Sequence, residues 1–257
     1  MPEEIAFSQE LLRRFLSEAA WAETYGLDEA KIEQIVRYAD ILVETNKQMN
    51  LTGITDVQGI AERHVLDSLT ALPALDAEIA KQAKASGYRR PIRVADVGTG
   101  AGLPGVILKI MRPEIELFLI DSLAKRIRFL ESVSDILAFE QVHHLHLRAE
   151  DAGHSTELRE QMDFVTARAV AELSVLSEYC LPLARVGGVF LAMKANLGTE
   201  TRDAKRAIAI LGGRLDEAEE FLLPGTDMTR SLVLISKTKP TPRSYPRAAG
   251  KLQKKPL

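Results

Sequence analysis

The N-terminal part of the chain carries its apolar side chains at helical spacing. Apolar positions three and four residues apart predict a first helix over residues 11–19. A second helix begins at Asp28, a favourable N-cap, and ends near Asn50. After a turn, a third helical stretch covers residues 60–72. The pattern predicts a helical region over residues 1–90 that packs on the rest of the chain.

Beyond this region, short runs of β-branched and other apolar residues alternate with helical patterns. The predicted strands are residues 92–97, 115–120, 142–147, 163–167 and, after a turn at Val186-Gly187-Gly188, 189–193. Such alternation predicts a parallel sheet with helices on both faces. An extended stretch at residues 221–223, a turn at Pro224-Gly225 and a strand at 232–235 predict a terminal antiparallel hairpin. We expect an α/β, Rossmann-like fold with a mostly parallel, seven-stranded sheet.

Two changes of composition set the expected domain boundaries. A loop at residues 87–91 precedes the α/β core, which we place at residues 91–236. Residues 237–257 are rich in lysine, arginine and proline and contain no acidic residue, so this tail is not expected to bury a core. The tail is either solvated or binds phosphate groups, with Arg243 and Arg247 as candidate contacts.

Composition narrows the classes of function. The formal net charge of −3 shows no global basic excess, so a nucleic acid would have to bind at local patches. The single cysteine, Cys180, excludes a disulfide framework and is expected in the core. We expect no metal, because only His144 and His146 of the histidine-rich strand share a face. Without a signal core in residues 1–10 or a membrane-spanning run, we expect a cytoplasmic protein. We expect a monomer, because nothing in the sequence demands a larger assembly.

The turn after the first predicted strand carries the clearest chemical signal. The strand reaches Asp96, and glycines follow at Gly98, Gly100, Gly102 and Gly105 before a helix. Backbone N–H groups in such a turn can hold a nucleotide-like group. Gly100 to Gly105 fits the dinucleotide pattern G-x-G-x-x-G. Because the strand ends before Gly98, we favour the frame that starts at Asp96, which suits the cationic amino-acid end of S-adenosylmethionine.

Other residues complete the predicted cofactor site. Asp121 ends the second strand about 20 residues beyond the glycine turn, where an acid can bind both ribose hydroxyls. Ala149 and Glu150 follow the third strand and are expected to flank the adenine. Leu103 and Pro104, within the turn, complete the predicted contacts. The terminal hairpin also favours the class I methyltransferase version of the fold over an all-parallel dinucleotide-binding domain.

Polar residues outside the glycine turn have two interpretations each. Arg63, His64 and Asp67 lie amid apolar residues of one helical stretch, and they either pair within the helical layer or place this helix over the cofactor mouth. Lys125 and Arg126 begin the helix after Asp121. They either contact RNA or form a solvated face.

Six motifs in order resemble one family. The chain is similar to the bacterial 16S ribosomal RNA guanine-N7 methyltransferase G family, also called glucose-inhibited division protein B, over roughly residues 40–235. Ala167 stands where that family usually has serine. The motifs are Asn50-Leu51-Thr52, Arg63-His64-x-Leu66-Asp67-Ser68, Asp96-Val97-Gly98-x-Gly100-x-Gly102-x-Pro104-Gly105, Lys125-Arg126-x-x-Phe129-Leu130, Arg148-Ala149-Glu150 and Ala167-Arg168-Ala169.

The resemblance implies a reaction and a partner. Members of the family use S-adenosylmethionine to methylate a guanine in the decoding-region loop of 16S ribosomal RNA, as free RNA or within the small ribosomal subunit. The motifs then supply the expected substrate contacts. These are Asn50, Thr52, Arg63, His64, Lys125 and Arg126, together with Lys194, Arg243 and Arg247.

Arg168 is the expected catalytic residue. Guanine N7 has a lone pair and no proton, so methylation needs no general base and depends on alignment. Arg168, after the fourth strand, could donate to guanine O6, grip the cofactor carboxylate, or pair with Asp163 or Asp96. Lys194, after the fifth strand, is a weaker candidate, and a solvated lysine is its simpler interpretation.

Two other functions compete with this one. An NAD(P)-dependent oxidoreductase would use the Gly100 to Gly105 frame, and a reversed terminal strand argues against it. A noncatalytic RNA- or ribosome-binding module would keep the fold and is expected to have a damaged cofactor loop.

Overall fold

The N-terminal region is helical, as the sequence predicts. The computed structural model describes residues 6–86, 90–168 and 171–257. Helix α3 begins where the Asp28 carboxylate accepts the Lys31 N–H and ends where Asn50 adopts a left-handed conformation. The helices are α1 (Gln9–Glu18), α2 (Ala20–Thr24), α3 (Glu29–Met49), α4 (Val57–Gly59), α5 (Asp67–Leu69) and α6 (Leu72–Ser86).

The predicted third helix is not a continuous α-helix. A π-helical segment, Ile60–Leu66, joins α4 to α5, and the chain turns before α6. Such segments widen the helix and change which side chains share a face. The spacing of apolar residues alone therefore could not predict the π-helical segment. Residues 87–89 of the expected boundary loop, and Ala169 of the last motif, lie outside the described residues.

The remaining chain forms a seven-stranded mixed sheet, which confirms the expected fold class. Within the described residues, the strand order is β3-β2-β1-β4-β5-β7-β6, and β7 runs antiparallel to the other six strands. The strands are β1 (Arg93–Val97), β2 (Glu116–Asp121), β3 (Val142–His146), β4 (Met162–Arg168), β5 (Ala184–Lys194), β6 (Gly213–Leu222) and β7 (Thr229–Lys237). The helices between and after them are α7 (Gly105–Met111), α8 (Ala124–Ile136), α9 (Ala149–His154), α10 (Leu173–Cys180), α11 (Glu200–Ile210) and α12 (Ala249–Lys254).

The predicted turn at Val186-Gly187-Gly188 is wrong. These residues lie inside β5, which begins at Ala184 and shifts register against β4 between Met162 and Phe164. Gly188 is required there because a Cβ would lie 2.7 Å from the Asp163 carbonyl oxygen. The glycines therefore form an irregularity within a strand rather than its beginning.

Two apolar clusters cover the two faces of the sheet. One joins the N-terminal helices to the α7 and α8 side, so these helices share a core with the sheet. The other lies beneath α9, α10 and α11 and contains Cys180, whose predicted core position is confirmed. Across residues 6–86, 90–168 and 171–257, no helix is long and apolar enough to cross a membrane.

The C-terminal tail packs against the sheet domain, contrary to the expectation from its composition. Lys237 is the last residue of β7 rather than the first of a tail, and Leu252 is fully buried. The Arg159 guanidinium donates to the carbonyl oxygens of Tyr245 and Thr241. Polar anchors from the domain thus hold a segment that has few apolar residues of its own.

Arg247 belongs to this anchoring and not to an exposed RNA surface. Its guanidinium Nε and Nη2 atoms donate to the Glu178 carboxylate, which is fully buried, at 2.9 and 2.7 Å. The expected substrate contact is therefore corrected, because a buried carboxylate holds this cation. Arg243, four positions earlier, is exposed.

Candidate active site

A cleft of about 550 Å³ opens at the carboxyl ends of β1 to β4. Ligands of open α/β sheets bind at this edge. The glycine turn forms its floor, the start of α9 one side and the segment before α4 the other. The polar and glycine residues that line it are Thr52, His64, Gly98, Thr99, Gly100, Asp121, Ser122, Arg126, Arg148, Glu150, Arg168 and Tyr179.

Only part of the predicted glycine turn faces the cleft. Gly98, Gly100 and Leu103 line it, and Gly98 and Gly100 have φ values of 70° and 61°. Gly102 has a φ of 96°, and a Cβ there would lie 2.5 Å from Val106 Cγ2. Gly102 therefore allows close packing against α7, and the predicted cofactor contact at this position is corrected.

Pro104 likewise supports the turn. It is the N-cap of α7 and does not line the cleft, so its predicted contact with the cofactor is also corrected. The turn itself is held from the neighbouring strand, because the N–H groups of Gly98 and Thr99 both donate to the Ile120 carbonyl oxygen.

Asp96 lies behind the turn instead of in the cleft. Its side chain is fully buried, and its Oδ2 accepts the Thr99 hydroxyl at 2.6 Å and the Gly105 N–H at 2.9 Å. Burial raises the pKa of Asp96 to about 6, although both hydrogen bonds act to lower it. Both bonds use Oδ2 and brace the turn from inside, whereas Oδ1 has no hydrogen-bond partner among the described residues, so contact with the cofactor's amino group stays a prediction.

Asp121 stands at the end of β2, on the edge of the cleft. Its carboxylate accepts the Gly100 N–H at 3.0 Å, the Leu123 N–H at 2.9 Å and Arg126 Nη1 at 3.1 Å. A carboxylate has about four lone-pair sites, so it retains capacity for a further donor such as a ribose hydroxyl. Arg126, which the sequence predicted to contact RNA, lines this cleft beside Asp121 and therefore lies on the cofactor side.

The opposite wall provides an apolar surface with a polar rim. Ala149 and Glu150 line it at the start of α9, together with Leu147. Tyr179, on α10, also lines the cleft, and sequence reasoning missed it. In the sequence Tyr179 precedes the predicted core residue Cys180, and this position does not indicate that it lines a cleft.

Arg168 ends β4 and lies on the wall between this cleft and a second cavity. Its Nη1 donates to Asp67 Oδ2 at 2.9 Å and to the Arg63 carbonyl oxygen at 3.1 Å. The alternative pairing with Asp96 or Asp163 is wrong. Asp163 lies at the amino end of β4, where Arg90 and Arg185 bind it, and so it is at the other edge of the sheet.

The segment between α3 and α5 borders the same cleft. Thr52 Oγ1 lies 2.9 Å from His64 Nε2, and both side chains line the cleft. Burial, with a contribution from Arg168, lowers the pKa of His64 to about 4, so its imidazole is neutral at physiological pH. Tyr38, which sequence reasoning missed, donates its hydroxyl to the Ala101 carbonyl oxygen at 2.8 Å and fixes α3 to the glycine turn.

Four residues of the predicted substrate motifs and strand ends lie outside the cleft, namely Asn50, Arg63, Lys125 and Lys194. Asn50 is an exposed helix C-cap, and the Lys125 ammonium donates to the adjacent Met49 carbonyl oxygen at 2.9 Å. Lys194 is not a solvated lysine, because its side chain is 10% exposed and pairs with Glu200 at 2.7 Å. Arg63 and Lys194 both line the second cavity.

The residues of the cleft fit S-adenosylmethionine. Asp121 offers acceptor capacity for ribose, and the Ala149 side offers an apolar surface for adenine. At Gly100 a Cβ would meet only Gly98 O within 4 Å, so the turn presents open backbone to the cleft. The reversed β7 strand argues against the dinucleotide alternative.

Comparisons with known proteins show which family and structures the chain is similar to. The family model described as rRNA small subunit methyltransferase G matches residues 31–227. A protein of that name from Exiguobacterium sp. is 45% identical over 93% of this chain and 97% of its own. One from Clostridium tetani is 44% identical over 90% of this chain and 93% of its own. A solved rRNA methylase from Streptococcus thermophilus has a TM-score of 0.44 and 14% identity over 58% of this chain and 88% of that one.

Proposed function

The chain belongs to the rRNA small subunit methyltransferase G family, and we propose that it methylates N7 of a guanine in the decoding-region loop of 16S ribosomal RNA. It is an S-adenosylmethionine-dependent rRNA methyltransferase. The observation that supports guanine N7 as the acceptor atom is the position of Arg168. It is a fixed hydrogen-bond donor on the wall that separates the cofactor cleft from a second cavity.

The proposal assigns roles to the cleft residues. Gly98 and Gly100 provide the backbone surface on which the amino-acid end of the cofactor lies. Asp121 binds the ribose, and Ala149 and Glu150 border the adenine. When bound, S-adenosylmethionine supplies an activated methyl group. Asp96 acts one layer behind, by holding the turn in its ligand-binding conformation.

The acceptor atom places few demands on the protein. Guanine N7 carries a lone pair and no proton, so no residue has to remove one. His64 lines the cleft, but its pKa of about 4 makes it a weak base, and the reaction needs none. Arg168 donates to guanine O6, next to N7, and thereby orients the base. Catalysis then consists mainly of alignment.

The remaining assignments follow from location. We further propose that the protein acts as a monomer. Arg243 and the other exposed cations of the tail surface remain proposed contacts with RNA phosphates.

Product analysis tests the proposal. Labelled S-adenosylmethionine is incubated with the protein and small ribosomal subunits that lack the modification, and the RNA is digested to nucleosides. Fully modified subunits serve as the control. We expect labelled 7-methylguanosine from the unmodified subunits alone. Label in another methylated nucleoside, or no label while the protein binds the cofactor, would refute N7 as the target.

A further inference from the structure

A second cavity of about 270 Å³ adjoins the cofactor cleft. It lies at the carboxyl ends of β4 and β5 and at the beginning of β7, where the terminal hairpin returns to the same edge of the sheet. His64 and Arg168 line both spaces, so one wall is shared. Its other residues are Ile54, Arg63, Asp67, Thr70, Met193, Lys194, Ala195, Arg230, Ser231 and Leu232.

The charges around this cavity are unequal and mutually fixed. Among the described residues, Arg63, Arg168, Lys194 and Arg230 supply four cations and Asp67 the one carboxylate of the lining, while Lys194 also pairs with Glu200 outside it. Asp67 Oδ1 accepts Arg230 Nε at 2.8 Å, and Asp67 Oδ2 accepts Arg168 Nη1 at 2.9 Å. All three side chains are less than one fifth exposed, at 9% for Asp67 and 17% for each arginine.

This pair of contacts explains why two arginines can stay close together. Without Asp67 the two guanidinium groups would repel each other, and the Asp67 carboxylate between them compensates their charge. Asp67 comes from α5, Arg168 from β4 and Arg230 from β7, so three distant parts of the chain fix the arrangement. Each guanidinium also keeps donors that Asp67 does not use, because arginine has five N–H groups.

Part of the remaining lining is apolar. Met193, Leu232 and Ile54 provide hydrophobic surface beside the cations. A cationic rim with an apolar surface suits a planar base that carries phosphate groups, since the ring packs on the apolar side chains and the phosphates meet the cations. A metal ion is disfavoured by the same excess of positive charge.

We propose that the second cavity receives the target base after it leaves the RNA stack. Asp67 is the positioning residue, which holds Arg168 toward the base and Arg230 toward the adjoining phosphate. The inference rests on the proposed function, and it gives the antiparallel hairpin a role, because the hairpin brings Arg230 to the site. Neither Asp67 nor Arg230 contacts the cofactor cleft directly.

Two kinds of variant test the cavity without altering the cofactor cleft. Ala195→Trp fills the mouth of the cavity from an exposed position and leaves every charge in place. Ala209→Trp, at an exposed alanine of α11, is its matched control. Arg230→Ala removes a cation, and Arg214→Ala removes an exposed arginine of the same hairpin that pairs with Asp216.

The measurements are cofactor affinity by calorimetry and methyl transfer to unmodified small subunits. We expect Ala195→Trp to lower transfer about 100-fold, because a displaced base is no longer aligned. We expect Arg230→Ala to raise the KM for subunits about tenfold, with Arg230→Lys in between. Both variants should bind S-adenosylmethionine within about twofold of the wild type, like the controls.

The outcomes separate this inference from the proposed function. If the wild type makes 7-methylguanosine and both variants match their controls, the cavity does not hold the base. If the variants lose cofactor affinity as much as activity, the cavity acts through the cofactor and the inference fails. If the wild type methylates another base and the variants lose that activity, the cavity assignment stands and the N7 proposal fails. If the wild type transfers no methyl group, both fail.

Discussion

Replacing Arg247 with alanine should destabilise the protein strongly, although the residue lies in a basic tail. The Glu178 carboxylate is fully buried beneath it and accepts the Arg247 backbone N–H at 2.7 Å as well as three guanidinium hydrogen bonds. The pKa of Arg247 is raised by its hydrogen bonds to Glu178. Arg247→Ala removes the compensating charge and leaves the carboxylate buried.

The expected cost follows from this geometry. Removing one partner of a buried ion pair costs about 3–5 kcal/mol. The Arg247 side chain is 22% exposed and the backbone bond survives in the variant, so the lower end applies, about 3 kcal/mol. For a chain of this size, that loss lowers Tm by about 6–12 °C.

Urea denaturation followed by far-UV circular dichroism measures this cost. Arg243→Ala, at an exposed arginine of the same tail, is the control and should change the free energy of unfolding by less than about 0.5 kcal/mol. The double variant Glu178→Leu with Arg247→Met should recover much of the loss, because no unpaired charge remains. Equal stabilities of the Arg247→Ala and Arg243→Ala variants would show that the tail is not anchored in this way.

Three further predictions concern the site. Gly102→Ala should lower the free energy of unfolding by about 3 kcal/mol, because the φ of 96° and the 2.5 Å approach to Val106 both oppose a side chain. Gly100→Ala, the control, should lower it by about 1 kcal/mol. Equal losses in urea denaturation would contradict the packing role of Gly102. Asp121→Ala should raise the calorimetric Kd for S-adenosylmethionine about tenfold or more, and an unchanged Kd would reject the ribose assignment. The pKa of His64 is about 4 in the folded protein and about 6.5 in the unfolded chain. Its contribution to the free energy of unfolding, up to about 3 kcal/mol, is therefore present above pH 6.5 and is lost as the pH falls toward 4. His64→Gln should remove this loss, and the difference in unfolding free energy between the two proteins, measured at pH 7 and 4.5, should shrink; a pH-independent difference would show that His64 titrates normally.

Much of the fold was accessible from the sequence because its signals are local. The Asp28 cap, the helix end near Asn50 and the first strand, which ends at Val97, each depend on neighbouring residues. The terminal hairpin was predictable from a Pro-Gly turn between apolar runs. The π-helical segment was not, because its apolar residues also fit an ordinary α-helix.

The errors at the site arise from contacts between distant parts of the chain. An acid before a glycine turn can face the ligand or brace the turn, and only the Thr99 and Gly105 bonds show that Asp96 braces it. Lys194 looked solvated because its partner, Glu200, is on another element. The tail's composition gave no sign of the buried Glu178 that holds it. Arg230, 163 positions from Asp67, had no local signal at all.

The most direct test of the central claim is the single-turnover rate of methyl transfer by Arg168→Ala, measured with saturating S-adenosylmethionine and unmodified small subunits. If Arg168 orients the guanine, the rate should fall by about 10²- to 10³-fold while the Kd for S-adenosylmethionine stays within about twofold of the wild type. A rate within about tenfold of the wild type, or a loss explained by weaker cofactor binding, would contradict the account.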